Sequence, residues 1–243
     1  MSTTPVQWKD NTTGVVRVAK RLILRVPGVS AVARHVAQLV RDARVTGTAA
    51  YWESRYRDGD GSGAGSYGVL ARFKAEVLND FVARHRVQTV IELGCGDAAQ
   101  LALATYPSYV GVDVSLTAVA RCRLQMEGDP TKRFFALTDT AGYDGTYELA
   151  LSLDVIYHLL EDSVFTAHMR ALFSLANRYV IIYSSNHEER SHAGHIRHHS
   201  ATDWVAAHAP EWEQIDFIKN RYPYDRKRPG ETSFADFYHF ARR

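Results

Sequence analysis

One acidic residue and two glycines near the middle of the chain have the types and spacing of a ligand site. Glu92, Gly94 and Gly96 follow a β-branched apolar segment at 89–91, which predicts a buried strand that ends in an acid and a glycine turn. Glycines let the backbone turn sharply and let a ligand approach it closely. A helix predicted to begin near Asp97 would point its free N–H groups at that ligand. A tight turn without a ligand is the alternative.

A second acid supports the ligand hypothesis. Asp113 ends the apolar segment Tyr109–Asp113, the next predicted strand. An acid about 20 residues beyond a glycine turn is placed to accept hydrogen bonds from ribose hydroxyls. A dinucleotide site would need a third glycine where Ala98 and Ala99 stand. The incomplete pyrophosphate fingerprint therefore disfavours NAD.

Acid–base chemistry is predicted at the end of another strand, Leu149–Leu153. His158 is a candidate general base, because the pKa of histidine ordinarily lies near working pH. Asp154 is a candidate to orient that base, take the proton or bind a divalent cation such as Mg²⁺. Tyr157, between them, is expected to face the acceptor. A histidine that only packs or hydrogen-bonds here is the alternative.

The segment Ser184–Ser200 holds five of the eleven histidines: His187, His192, His195, His198 and His199. Their spacing does not predict a closed zinc site, because no cysteine or rigid pair frames it. A histidine-rich surface loop is one interpretation. The other is a loop that rims an acceptor pocket, binding a polyhydroxylated acceptor or helping to hold magnesium. His195 and His198 are the substrate-binding candidates.

These motifs together resemble the class I S-adenosylmethionine-dependent methyltransferases. The matching motifs are Glu92–Gly96, Asp113 and Leu149–His158, and the resemblance covers roughly Arg72 to the C-terminus. It implies an α/β fold with a Rossmann-like, seven-stranded sheet whose last strand is antiparallel. It also implies that S-adenosylmethionine lies against the glycines, with its ribose on Asp113 and its adenine near Asp139. The cofactor-binding residues predicted on this basis are Glu92, Gly94, Gly96, Asp113, Val114, Asp139 and Ser152.

A narrower resemblance is to small bacterial sugar O-methyltransferases associated with glycan assembly, the actinobacterial methylmannose polysaccharide group among them. It rests on the elements YWESRY at 51–56, SGAGSYG at 62–68 and HIRH at 195–198. It implies that Gly65, Ser66 and Tyr67 touch the cofactor. It also implies methylation of a sugar hydroxyl in a polysaccharide or its precursor, with a mannoside as one candidate. A small-molecule natural-product methyltransferase is the alternative.

Length and composition limit the domain organisation and the kinds of partner that the chain is expected to have. A chain of 243 residues suits one domain, 69–243, with an N-terminal helical extension and a glycine-rich lid at 1–68. The net charge of +2 does not demand a nucleic-acid partner, and motif four lacks the Asn/Asp-Pro-Pro-Tyr/Phe pattern of base amino-methyltransferases. Two cysteines without a disulfide pattern suit the cytoplasm, and no apolar run predicts a transmembrane segment.

The element pattern predicts how these residues are positioned. A helix is expected over Val15–Ala43, broken near Pro27, with a basic face that covers the main domain or a homodimer partner, or that binds an anionic membrane or polymer. The other predicted helices are Val69–Ala83, Ala98–Ala104, Leu116–Met126 with Ser115 as its cap, Val164–Ala176 and Asp203–His208. The other predicted strands are Phe134–Leu137, Tyr179–Tyr183, Trp212–Lys219 and Phe234–Phe240.

Overall fold

The computed structural model describes residues 31–44, 47–190 and 195–243. Its α-helices are α1 (Ala31–Arg44), α2 (Gly47–Arg57), α3 (Gly68–His85), α4 (Leu116–Gln125), α5 (Asp162–Leu175) and α6 (Ala201–His208). The predicted helical segment before residue 31, with its basic face, lies outside the described residues, as does His192. No helix in the described ranges is both long and apolar enough to cross a bilayer.

The strands form one large sheet and one small ribbon. They are β1 (Thr89–Leu93), β2 (Ser108–Asp113), β3 (Lys132–Ala136), β4 (Tyr147–Leu153), β5 (Ala176–Ser184), β6 (Glu189–Arg190), β7 (Arg197–His198), β8 (Trp212–Ile218) and β9 (Asp236–Arg242). The large sheet has the order β3-β2-β1-β4-β5-β9-β8, and β6 pairs with β7. Strands β1 to β5 run parallel, whereas β9 is antiparallel to both of its neighbours. The predicted Rossmann-like sheet with an antiparallel last strand is confirmed.

Helices cover both faces of this sheet, and β1 shows why its sequence is apolar throughout. Val90 packs into the cluster that contains Leu78 and Phe81 of α3, whereas Ile91 packs into the cluster on the α5 face. Both β1 side chains are fully buried. Burying such a side chain stabilises the fold by about 1.5–3 kcal/mol. The rigid strand fixes the position of the residues at its carboxyl end.

The helix predicted over Ala98–Ala104 is wrong. Only a single 3-10 turn forms there, at Leu101–Leu103. Ala98 has a φ of 62°, in the left-handed region, and an α-helix cannot pass through such a residue. The glycine turn therefore leads into an irregular loop and not into the N-terminus of an α-helix.

Candidate active site

A cleft of about 660 Å³ opens at the carboxyl edge of the sheet, where β1, β2 and β4 end side by side. This is where open α/β sheets bind ligands. Residues from α2 and the glycine-rich loop close it from above, whereas Lys74 of α3 lies at its floor. The lining residues that bear on its chemistry are Trp52, Tyr56, Ser62, Ser66, Lys74, Glu92, Gly94, Gly96, Gln100, Asp113, Val114, Asp154 and His158.

The glycine turn has no room for side chains. Gly94 and Gly96 have φ values of 93° and 57°. A Cβ on Gly94 would lie 2.3 Å from Val155 Cγ2, and one on Gly96 would lie 2.2 Å from Ser62 Oγ. These positions therefore require glycine both for backbone conformation and for close approach.

Asp113 ties the glycine turn to the end of β2. Its carboxylate accepts hydrogen bonds from Gly96 N and Ser115 N, each at 2.9 Å. Burial raises the pKa of Asp113 although these donors act to lower it. The predicted cap is present, because Ser115 Oγ accepts from Ala118 N at the start of α4. Asp113 and Val114 line the cleft where the ribose prediction places them.

Sequence reasoning missed Lys74, which lies at the floor of the cleft. Its Nζ donates to Asp154 Oδ2 at 2.5 Å, and the lysine side chain is only 1% exposed. Tyr157 OH donates to the other oxygen of Asp154, at 2.8 Å. Asp154 itself has a φ of 59°, which is uncommon outside glycine. The available signal was a lysine in an otherwise apolar stripe of the helix before β1.

A second carboxyl group, Glu92, lies buried in the same cleft. Tyr109 OH donates to it at 2.7 Å, and Lys74 is close enough to favour its ionised form. Burial outweighs both effects and raises the pKa of Glu92 to about 7. The protonation state of this residue therefore changes within the physiological range.

The glycine-rich segment forms an ordered cover that is held by Asp97. The carboxylate accepts from Ser62 N at 3.0 Å, Ser62 Oγ at 2.7 Å and Tyr67 OH at 2.6 Å. Burial alone would raise the pKa of Asp97, but the bonds from Tyr67 and Ser62 keep it below its usual value. Ser66 faces the cleft, and a Cβ on Gly65 would lie 2.7 Å from Asp154 Oδ2. Tyr67 is 46% exposed, and its part in the cover is the hydrogen bond from its hydroxyl to Asp97.

Helix α2 is fastened to the far side of the cleft through α4. Glu53 accepts from Ser115 Oγ and Thr117 Oγ1, both at 2.7 Å, which places a carboxylate at the N-terminus of α4. Arg121 of α4 donates to the carbonyls of Tyr56 and Asp60. These contacts hold the aromatic side chains of α2 over the cleft.

An aromatic side pocket of about 360 Å³ joins the cleft at His158. The ring of Trp52 lies 5.0 Å from that of His158, and His195 stacks between His158 and Tyr51 at 5.9 Å from each. His158 Nδ1 lies 3.0 Å from the His195 carbonyl, to which it donates, so Nε2 is left as an acceptor. Burial lowers the pKa of His158 to about 4. The residue is therefore neutral, and a weaker base than its ordinary pKa predicts.

Several predicted residues do not line the cleft: Gly65, Tyr67 and Tyr157 lie beside it, and Ser152, Asp139 and His198 lie away from it. Ser152 is fully buried behind β4, where its Oγ lies 2.9 Å from His168 Nε2. Asp139 is exposed and lines a separate shallow pocket with Arg123. His198 is buried against Ser185 Oγ at 2.7 Å. Their sequence positions are at strand ends, as predicted, but their side chains point elsewhere.

A metal role for Asp154 finds no support in this geometry. Its two oxygens already bind the Lys74 ammonium and the Tyr157 hydroxyl. Across residues 31–44, 47–190 and 195–243, no three His, Cys, Asp or Glu side chains are grouped as a metal ion would require. The positive charge beside Asp154 in this structure is the Lys74 ammonium.

Two buried side-chain oxygens that line the cleft have no hydrogen-bond partner among the residues that the structure describes. They are Thr48 Oγ1 and Gln100 Oε1. A buried polar atom without a partner is costly, and a bound ligand is one way to satisfy it. Thr48 also borders an adjoining apolar cavity of about 470 Å³, lined by Val114, Leu137 and Val155. The cleft thus continues into a mainly apolar space.

Comparison with known proteins identifies the architecture. No protein-family model and no curated protein matches the sequence. Among solved structures, NodS N-methyltransferase from Bradyrhizobium japonicum WM9, in complex with S-adenosylhomocysteine, superposes with a TM-score of 0.58. The identity is 13%, over 81% of this chain and 99% of that chain. Magnesium protoporphyrin IX methyltransferase (ChlM) from Synechocystis PCC 6803, with bound SAH, gives 0.55 and 17%, over 71% and 83%.

The methyltransferase domain of bacterial CtHen1-C gives a TM-score of 0.55 at 17% identity, over 72% of this chain and 98% of that chain. The chain has the class I methyltransferase fold. In this fold, the cleft at the ends of β1, β2 and β4 lies at the topological switch point, where β1 has β2 on one side and β4 on the other.

Proposed function

We propose that this chain transfers a methyl group from S-adenosylmethionine to a hydroxyl oxygen of a sugar. One observation carries the cofactor assignment. A glycine cradle with no room for a Cβ adjoins a buried acid at the end of β2, in a class I methyltransferase fold. The unpartnered oxygens of Thr48 and Gln100 support a polar ligand in the same cleft.

The residues present fit the cofactor part by part. Gly94 and Gly96 allow its amino-acid part to approach the backbone, and the buried Lys74 and Gln100 provide charge and hydrogen bonding for that part. Asp113 provides a buried acceptor for ribose hydroxyls. The adjoining apolar cavity at Val114 suits the adenine. When bound, S-adenosylmethionine supplies a methyl group that is activated by positively charged sulfur.

The aromatic side pocket supports a sugar acceptor. Tyr51 and Trp52 offer ring faces on which the C–H side of a sugar ring can stack, and His195 offers polar atoms beside them. His158 lines both this pocket and the cleft, so a hydroxyl placed beside it lies at the junction of the two sites. A flat natural product would also stack on these rings, which makes a small-molecule acceptor the second candidate.

His158 is proposed as the proton acceptor. Its Nδ1–H is held by the His195 carbonyl, which leaves the Nε2 lone pair available. Transfer of a methyl group to an acceptor hydroxyl would make the hydroxyl proton strongly acidic, and His158 Nε2 would be placed to receive it. A weak but correctly placed base therefore suffices to take it. Asp154, held by Lys74 and Tyr157, places a carboxylate near the developing charges.

Transfer of labelled methyl from S-adenosylmethionine to a panel of mannosides and other short glycans tests the proposal. We expect transfer to a glycan that survives EDTA and that falls by about two orders of magnitude in His158→Ala, with S-adenosylhomocysteine affinity retained. His187→Ala, an exposed histidine outside the cleft, is the matched control. Transfer only to flat small molecules would favour the second candidate. Full activity of His158→Ala would remove the proposed base.

A further inference from the structure

The loop between β8 and β9, residues 219–235, lies on the same edge of the sheet as the cleft. Strand β8 runs parallel to β5, because both are antiparallel to β9, and Ile218 and Tyr183 both pair with Phe237. The end of β8 therefore meets the carboxyl edge. Phe234 of the loop lies 4.9 Å, ring to ring, from Tyr157, the residue that donates to Asp154. The β8–β9 loop therefore contacts the active site through Phe234 and Tyr157.

The loop carries a concentrated positive charge. It contains Lys219, Arg221, Arg226, Lys227 and Arg228 against two carboxylates, a net charge of +3, whereas the whole chain has a net charge of +2. Arg221 pairs with Glu76 of α3, and Arg228 pairs with Asp225. Arg226 and Lys227 are exposed and have no side-chain partner in the described part of the protein.

The backbone at the tip of the loop is folded, which fixes the positions from which the Arg226 and Lys227 side chains extend into solvent. Asp225 N donates to Thr232 Oγ1 at 3.0 Å, and the Thr232 hydroxyl lies within hydrogen-bonding distance of the Arg228 carbonyl. Lys227 N donates to Asp225 Oδ1 at 2.9 Å. At the base, Asn220 Nδ2 donates to Tyr183 OH at 2.7 Å. A loop fixed at its tip and base spends little ordering entropy on binding.

Charges elsewhere on the same edge limit what this loop can bind. Acidic side chains follow the other strands and the cover: Asp58, Asp60, Asp139, Glu161, Asp162 and Glu189. A long polyanion that crossed the edge would meet these carboxylates. A compact anion beside the β8–β9 loop would not.

We propose that the β8–β9 loop binds a phosphate group carried by the sugar acceptor, with Arg226 and Lys227 as its ligands. The inference rests on the proposed function for the identity of the acceptor. The acceptor is then a sugar phosphate or a phosphate-linked sugar whose phosphate is bound on the rim of the site, on the side where Phe234 contacts Tyr157. Charged donors at a rim change affinity for the charged ligand more than they change the chemical step.

Binding of mannose 1-phosphate and of methyl α-mannoside to the full chain, saturated with S-adenosylhomocysteine, tests this proposal. We expect mannose 1-phosphate to bind about tenfold more tightly, and Arg226→Gln/Lys227→Gln to abolish that preference. The matched control is Arg84→Gln/Arg242→Gln, which removes the same charge at the opposite edge of the sheet. It should change either affinity by less than about twofold.

Equal affinities for the two sugars in the wild type, or an equal loss in the control, would overturn the proposal. Phosphatidylglycerol vesicles and a short single-stranded RNA form two further arms. Binding of either through Arg226 and Lys227, without selective binding of mannose 1-phosphate, would assign the loop to a membrane or to RNA instead. Retention of S-adenosylhomocysteine in every sample separates failure of this proposal from failure of the cofactor assignment.

Discussion

The Lys74 ammonium and the Asp154 carboxylate form an ion pair at 2.5 Å on the floor of the cleft, with the lysine side chain 1% exposed. The pair joins α3 to the residue that follows β4, and Asp154 has a left-handed backbone conformation there. Removing two charges from water is costly, and such a pair is often no more stabilising than apolar residues of similar size. Its presence in the cleft is therefore better explained by function than by stability.

Lys74→Met should leave the Asp154 charge buried without its partner. We expect a loss of about 3–5 kcal/mol in the free energy of unfolding, measured by urea denaturation at neutral pH. The double variant Lys74→Met/Asp154→Asn should recover most of that loss, because asparagine tolerates the left-handed conformation and carries no charge. It should remain inactive, because both charged groups are gone from the cleft. Arg84→Met, which breaks an exposed pair with Asp80, is the control and should cost less than about 1 kcal/mol. A Lys74→Met variant as stable as wild type would contradict a buried pair.

The cover over the cleft depends on Asp97, so Asp97→Ala should loosen it. The variant removes the acceptor of Ser62 N, Ser62 Oγ and Tyr67 OH. We expect S-adenosylhomocysteine to dissociate about tenfold faster in stopped-flow measurements. Asp58→Ala, which loses only one bond, from Ser54, should leave the rate unchanged. Equal rates in both variants would show that the glycine-rich segment is a linker and not a lid.

The left-handed Ala98 predicts that glycine is tolerated at this position. A non-glycine residue in this region costs about 1–2 kcal/mol, which glycine removes. Glycine also loses the buried Ala98 methyl, about 0.8 kcal/mol, and about 0.4–1 kcal/mol to unfolded-chain entropy. Ala98→Gly should therefore leave the free energy of unfolding nearly unchanged in urea denaturation, whereas Ala99→Gly, one residue on and without a positive φ, should lower it by about 0.5–1 kcal/mol. An Ala98→Gly variant destabilised by more than Ala99→Gly would show that this alanine is not strained.

The sequence predicted most of the sheet because its signals are local. Buried parallel strands are short apolar segments, and Ser115 marked the start of α4. Side-chain direction at the strand ends is a tertiary property, which is why Ser152 and Asp139 were placed in a cleft they do not reach. Lys74 was missed for the same reason, since its partner lies 80 residues away.

Burial of Glu92 makes the folded state less stable as the pH rises. The pKa of Glu92 is raised to about 7 in the folded chain, whereas in the unfolded chain this carboxyl group has the usual pKa of a glutamic acid. As pH rises from about 4 to 7 the unfolded state loses its proton first, so the folded state loses about 3 kcal/mol of relative stability. Below that window the effect is absent.

Glu92→Gln removes this titration. Compared with wild type, the variant should gain stability at pH 8 and gain much less at pH 5, as measured by urea denaturation at both values. The control is Glu213→Gln, at an exposed position on β8. Its free energy of unfolding should differ from that of wild type by the same amount at pH 5 and pH 8. A Glu92→Gln variant whose difference from wild type is independent of pH would contradict the raised pKa.

Calorimetric titration of the folded chain with S-adenosylhomocysteine tests the central claim most directly. We expect one molecule bound per chain, and an affinity about 10- to 100-fold weaker in Asp113→Asn, because one charge-assisted hydrogen bond to the ribose is lost. Asp139→Asn, whose carboxylate lies outside the cleft, should bind as wild type does. No binding to folded wild type, or equal weakening in both variants, would contradict the cofactor site described above.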